Sequence, residues 1–309
     1  MKATGGLPQQ TFDDLRQKGY SVQPLFDATE LQELSDLHHK TRPDTAGNFY
    51  TSAFQKDTSS RSKVRDSLIT LLEEKMAASL PGYRIYGATF VSKKANSGPA
   101  MLPLHQDYSF LDPSGKPAIT IWAPLSDVSR QNGCLTVVPA SHHIHHIAAN
   151  PRNPGPVDAI RRELETNYVD VLEMPAGMAC LFDTTLLHGS YGNQSGAERT
   201  AAFLGMLPVG VTPRLHVWDK ADPGKLSVYE VSEDFLLYFT PEQPFDDEQK
   251  SRATFLHTID YVPTPVTLAD IPTRLPFLTR TSVPVQPAPA PTPPTSGLGA
   301  RIKRYFSPS

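Results

Sequence analysis

YRIYGATFVSK (83–93), MLPLHQDYSF (101–110), AITIWAPL (118–125), CLTVVP (134–139), YVDVLEMP (168–175), MACLFDTTLLHGS (178–190) and RTAAFLGML (199–207) are short apolar runs rich in β-branched and aromatic residues. Gly, Pro, Asn and Asp punctuate them, as in an antiparallel sandwich or barrel. The segment Val157 to Thr166 reads as a short helix inserted between strands. Upstream of Tyr83 the texture is helical: Thr11 and Asp14 are placed to cap a helix that ends near Gly19, and Asp27 with Glu30 forms a capping-box pattern before ATELQELSDLHHK. A third helix is predicted within Arg61 to Leu80, where Val64, Leu68, Leu71, Leu72 and Met76 recur at helical spacing before Pro81-Gly82. The expected fold class is α+β: a double-stranded β-helix, or jelly-roll, cupin-like barrel, with flanking helices and a β core at about 83–207.

Beyond Pro208 the pattern weakens, and Tyr229 to Phe239 and Phe245 to Ile259 are read as helices covering one end of the barrel. After Arg280 the run TSVPVQPAPAPTPPTSGLGA is too rich in proline to pack, so the domain is set at 1–280 and a flexible tail at 281–309. The tail ends in RIKRYFSPS, a basic and aromatic segment that reads as a solvated terminus or a docking point for a partner.

Bulk properties exclude several classes. A net charge of −3 provides no basic field for nucleic acid or an anionic membrane. The two cysteines, Cys134 and Cys180, have no CxxC spacing and suggest neither a disulfide framework nor a thiolate zinc site. No apolar run approaches a membrane span, and the N-terminus does not resemble a signal peptide, so a cytoplasmic protein acting on a small molecule is expected.

The chemistry is concentrated in His105-Gln106-Asp107, His188 and Arg199. Side chains two apart on a strand share a face, so His105 and Asp107 can present two ligands to one ion. His188, at the end of the run that crosses back over the barrel, supplies the third. Two neutral imidazoles and one carboxylate leave coordination positions open, which suits non-haem iron(II) that must bind a cosubstrate and O2; a structural zinc site would be closed by a fourth ligand.

LHQDYSF (104–110), WAPLSDVSRQNGCLTVVPASH (122–142) and HGSYGNQSGAERT (188–200) are similar to the corresponding segments of the phytanoyl-CoA dioxygenase family of 2-oxoglutarate-dependent oxygenases. The likeness runs in order from about Tyr83 to Leu207, and FDDLRQKGY with the helix at 28–40 also resembles the family's opening. A lone HxD occurs by chance in many chains; HQD, the NGCLTVVPASH turn, a distal HGS and an arginine eleven residues after that histidine form a far more specific combination. The resemblance implies that His105, Asp107 and His188 hold iron(II), that Arg199 anchors the distal carboxylate of 2-oxoglutarate, and that Ser190 and Trp122 line the cosubstrate pocket. It implies consumption of O2 and 2-oxoglutarate, release of succinate and CO2, and hydroxylation of an unactivated C–H in a small metabolite or acyl compound. The intact carboxylate favours hydroxylation over chlorination, since related halogenases replace it with a small residue. Desaturation, epimerisation or cyclisation use the same ligands, and a non-catalytic cupin-like binding protein is the remaining alternative.

Charge supports the scheme. Iron(II) contributes two positive charges against one negative from Asp107 and two from 2-oxoglutarate, and Arg199 would neutralise the excess with a fork suited to carboxylates. Other residues take ordinary readings. Ser141 to His146 (SHHIHH) is expected to be a loop, with His142 as a candidate for shaping the entrance, because neighbouring histidines on a strand point to opposite faces. His38, His39, His216 and His257 lack carboxylates at ligand spacing. Asn132-Gly133 reads as a tight turn, Tyr108 and Phe110 as core residues facing away from the ligands, and Lys93, Lys94 and Gln106 as supporting or surface residues.

Overall fold

The computed structural model describes residues 6–43, 47–99, 101–108, 110, 115–144, 154–218, 221–239 and 245–271. In chain order the elements are α1 (Gln9–Lys18), β1 (Tyr20–Pro24), α2 (Ala28–Thr41), β2 (Phe49–Thr51), α3 (Thr58–Ser79), β3 (Tyr83–Lys93), β4 (Leu102–His105), β5 (Ile119–Pro124) and β6 (Leu135–Val137). They continue as α4 (Arg161–Asn167), β7 (Asp170–Leu172), β8 (Met178–Asp183), β9 (His188–Ser190), β10 (Arg199–Pro208), β11 (Arg214–Trp218), β12 (Lys225–Val231), α5 (Phe235–Tyr238), α6 (Asp247–Ser251) and β13 (Ala253–Asp260). The tail at 281–309 lies outside the described residues.

Two antiparallel sheets form the jelly roll, one ordered β1-β8-β5-β10-β3-β2 and the other β4-β9-β6-β7. The two-residue period of the central strands explains how they are covered. Ile119, Ile121 and Ala123 of β5, Ala179 and Leu181 of β8, and Ala202, Leu204 and Met206 of β10 pack against Leu15, Leu34, Val64, Leu68, Leu72 and Met76 of the helices. The alternate residues Trp122, Cys180, Phe182 and Ala201 turn inward to meet Leu135, Val137 and Leu172 of the smaller sheet. The six-stranded sheet is therefore buried on both faces, and all six residues of β5 are buried.

The helix ends follow local chemistry. The Asp27 carboxylate accepts from Glu30 N while Glu30 accepts from Asp27 N, closing the expected capping box, and Lys75 donates to both Glu30 oxygens at 2.7 Å to tie α3 to α2. Asp57 caps α3, whose start precedes the expected Arg61. The first helix opens after Pro8, and Thr11, expected as a cap, is instead a buried residue inside it. It closes at Gly19 with φ +82°, where a Cβ would lie 2.5 Å from His142 Nδ1 and 2.6 Å from Leu186 Cδ1.

Beyond Pro208 the expected helices give way to the three-stranded sheet β11-β12-β13. Tyr229 to Val231 continues β12, so only Phe235–Tyr238 of that region is helical, and in the second region only Asp247–Ser251 is. A bulge between Val228 and Tyr229 interrupts the strand period, and β13 is largely exposed on both faces, so neither strand carries clean alternation. The run MACLFDTTLLHGS is likewise two strands in two sheets. Asp183 Oδ1 accepts from Thr185 N (2.8 Å) and Thr185 Oγ1 (2.6 Å), turning the chain from β8 across to β9. No helix among the described residues is long and apolar enough to cross a membrane.

Leu68 is completely buried between α3 and the six-stranded sheet. Leu68→Ala is expected to destabilise the fold by about 2–5 kcal/mol, read as a shifted midpoint in urea denaturation with little change in slope.

Candidate metal centre

The pairing of β4 with β9 sets His105 directly opposite His188, and their ring centroids lie 4.4 Å apart. Asp107 stands two residues past His105, beyond the end of β4, where its N–H donates to Thr184 O at 3.1 Å. Its Oδ1 is 3.8 Å from His105 Nε2 and 3.7 Å from His188 Nε2. These gaps are too long for hydrogen bonds but within the reach of two ligand bonds of about 2 Å to one ion. One atom from each residue, all within 4.8 Å of one another, completes the cluster.

Backbone carbonyls orient both rings. The Nδ1–H of His105 donates to Pro103 O at 2.9 Å and that of His188 to Leu186 O at 3.0 Å, which leaves each Nε2 lone pair directed at the cluster. Burial pushes both imidazoles down to about 4, with the neighbouring His188 adding to the effect on His105, so both are neutral at neutral pH. Burial raises Asp107, opposed by His105 and by the Thr120 hydroxyl that donates to Oδ2 at 3.4 Å. A carboxylate facing two neutral imidazoles has no counter-charge between them, and a divalent cation would supply one.

Arg199 begins β10 and lies in register with Lys93 of β3. It is 2% exposed, and its Nε and Nη1 have no hydrogen-bond partner among the described residues. Its Cζ sits over the Trp122 ring, 5.4 Å from the centroid, so the indole forms a platform for the guanidinium. Burial lowers its pKa to about 10, which still leaves it charged at neutral pH. Such a cation fits an incoming carboxylate. His105, Asp107, His188, Ser190, Trp122 and Arg199 all line one cavity of about 290 Å³.

Several supporting residues are more deeply placed than the sequence suggests. Lys93 is buried, donates to Ser190 O at 3.3 Å and to Tyr191 O, and is held well below its usual pKa by burial and by Arg199. Lys94 is exposed, and Gln106 donates to Thr185 O, bracing the turn before β9. Gly133 adopts φ +97° at the expected turn, and a Cβ there would lie 2.9 Å from Tyr191 O and 3.5 Å from Arg199 Nη2. Tyr108 and Phe110, expected to face away from the ligands, line the same cavity. Strand alternation stops with β4 at His105, so it does not govern them, and both rings pack on Phe239. His142 is not among the cavity-lining residues; its Nε2 lies 3.2 Å from Arg16 O at the end of α1. Phe49, Phe54, Arg61 and Leu236 also reach the cavity, and their distance from the motifs along the chain hid them from sequence reasoning.

The chain is similar to several known proteins. L-proline trans-4-hydroxylase of Streptomyces griseoviridis is 30% identical over 169 residues, which are 48% of this chain and 62% of that protein. Phytanoyl-CoA dioxygenase domain-containing protein 1 of Danio rerio is 33% identical over 125 residues, 37% of this chain and 42% of that protein. The chain thus spans from 42% to 62% of the length of these two curated relatives. Among solved structures, HygX of Streptomyces hygroscopicus with nickel, 2-oxoglutarate and hygromycin B bound is similar at 16% identity and a TM-score of 0.48, covering 66% of this chain and 88% of that one. The sequence profile of the phytanoyl-CoA dioxygenase family matches residues 4–201, well over half of the chain and both segments that carry the His-Asp-His cluster, and the chain belongs to that family.

Proposed function

We propose that this chain is a non-haem iron(II)- and 2-oxoglutarate-dependent oxygenase that hydroxylates an unactivated C–H of a small molecule. One observation carries the reading: a partly buried carboxylate between two neutral imidazoles shares a cavity with a buried guanidinium whose Nε and Nη1 lack partners among the described residues. A metal cation and a carboxylate-bearing cosubstrate are the two groups that answer those charges together. The dioxygenase family and the hydroxylase named among the relatives support the same reaction class.

In this reading His105, Asp107 and His188 hold the iron on one side, leaving the other open to the cavity. When bound, iron(II) supplies the centre at which O2 is reduced while 2-oxoglutarate is oxidised to succinate and CO2, the second oxygen atom entering the substrate. Arg199 receives the distal carboxylate of 2-oxoglutarate, the Trp122 ring beneath its guanidinium supports it, and Ser190 lines the same cavity. Lys93, bonded to the carbonyls of residues 190 and 191, holds the strand end that carries Ser190. The apolar wall keeps water from the reacting centre, so the substrate is the hydrogen donor at hand. Cys134 and Cys180, both buried and free of disulfides, suit the reducing cytoplasm that ferrous iron also favours.

Three measurements test this. Asp107→Ala is expected to lower iron(II) affinity by at least roughly 100-fold, seen in anaerobic calorimetry and as loss of iron-dependent thermal stabilisation. Arg199→Leu should weaken 2-oxoglutarate binding by about 2 kcal/mol or more, roughly 30-fold, while sparing iron; unchanged cosubstrate affinity would refute the assignment. Gly189→Ala retains every ligand, yet its Cβ would lie 2.6 Å from Leu102 O and 3.3 Å from Leu104 N, both immovable backbone. Prising β9 from β4 is expected to lower iron affinity roughly 10-fold and to abolish iron-dependent succinate release.

A further inference from the structure

The cavity contains a second buried cation that the chemistry above does not use. Arg61, in the first turn of α3, is 8% exposed and lines the same cavity as the His-Asp-His cluster. Its Nη1 donates to Leu237 O at 2.9 Å, and its Nε donates to Gln55 O. Carbonyl oxygens satisfy N–H groups but do not neutralise a charge, and no carboxylate among the described residues pairs with this guanidinium. Burial alone accounts for the lowering of its pKa, with no acidic neighbour opposing it. Arg65, one turn along, also lines the cavity but is already paired, to Asp66 at 2.8 Å and Asp234 at 3.0 Å.

A purely structural brace could be built from a neutral donor without leaving a buried charge uncompensated. The walls of the cavity that Arg61 enters are largely apolar and aromatic, including Phe49, Phe54, Tyr86, Phe110, Phe203 and Phe239. A pocket of this kind takes an apolar body and fixes its orientation through a few polar groups. The volume of about 290 Å³ also has to admit 2-oxoglutarate, which restricts the substrate to a compact molecule.

We infer that the substrate is a small amphipathic organic acid, with an apolar body against the aromatic wall and its oxyanion on Arg61, distinct from the 2-oxoglutarate carboxylate held by Arg199. The inference rests on the oxygenase reading and adds the substrate class to it. Arg61 is then a specificity-determining residue. Because its other bond is to Leu237 of α5, the same guanidinium holds α5 and its cavity-lining leucines in place while the acid is bound.

The test uses the full chain loaded anaerobically with iron(II) and saturating 2-oxoglutarate, so that Arg199 is occupied. Hexanoate, 3-phenylpropionate and 4-phenylbutyrate, each beside its carboxamide, are titrated by calorimetry into wild type, Arg61→Gln and Arg61→Lys. Wild type is expected to bind at least one acid roughly tenfold or more tightly than its amide. Arg61→Gln, which keeps a donor for the carbonyls, should bind the two forms alike, and Arg61→Lys should retain a preference for the acid. Equal binding of acid and amide by wild type, no binding of either across the series, or a preference that survives in folded Arg61→Gln overturns the inference. Should Arg61→Gln fail to fold, the wild-type comparison and Arg61→Lys decide. Failure of iron and 2-oxoglutarate to bind in the first titration removes the oxygenase reading and this inference with it; their binding without acid preference removes only the inference.

Discussion

The register between β4 and β9 is the constraint on which the site depends. It sets His105 opposite His188, residues 83 positions apart along the chain. Both strands are short, so their alignment is secured by what surrounds them. Gly189 allows the backbone of β4 to approach closely, Gln106 and Asp183 shape the turn that delivers β9, and Asp107 is fixed by its own N–H on Thr184 O. A one-residue slip in this pairing would turn every side chain of β9 to the opposite face and remove His188 from the cavity.

Charge organises the interior around this pairing. Asp107, its carboxyl raised by burial, faces two neutral imidazoles, while Arg199 and Arg61 bear positive charges without carboxylate partners among the described residues. In a low-dielectric interior such groups are costly when uncompensated, and removing ligands from a site of this kind lowers stability rather than function alone. Under the proposed function and the further inference, three charged guests would answer these groups: a cation at the triad, a dicarboxylate at Arg199 and an oxyanion at Arg61. Trp122 and Lys93 support the Arg199 end of the cavity, the first with its ring beneath the guanidinium and the second by pinning the strand end beside it. The aromatic wall separates these polar points and supplies most of the surface that a substrate would meet.

The capping box at Asp27, the α3 spacing of Val64, Leu68, Leu72 and Met76, and the strand runs from Tyr83 to Leu207 were all legible, because each depends on residues within a turn or two of one another. The HQD and HGS segments with the arginine at 199 were legible for a different reason: they form a specific pattern at a specific spacing. Sequence reading failed where periodicity was broken. The bulge at Val228 hid β12, the exposed β13 lacked an apolar face, and the end of β4 at His105 released Tyr108 and Phe110 from the alternation that placed them away from the cavity.

What the sequence by itself determined was therefore the fold class, the family and the His, Asp and Arg residues that are candidates for the site, since local spacing and motif chemistry carry that information. Only the tertiary structure decided that Arg61 from α3, Phe49 and Phe54 from the segment before it, Leu236 from α5 and Phe239 just after it surround the same space as the triad. Those residues meet through packing of helices on a sheet and closure of a barrel, and contacts made by chain segments far apart leave no period in the sequence from which to read them.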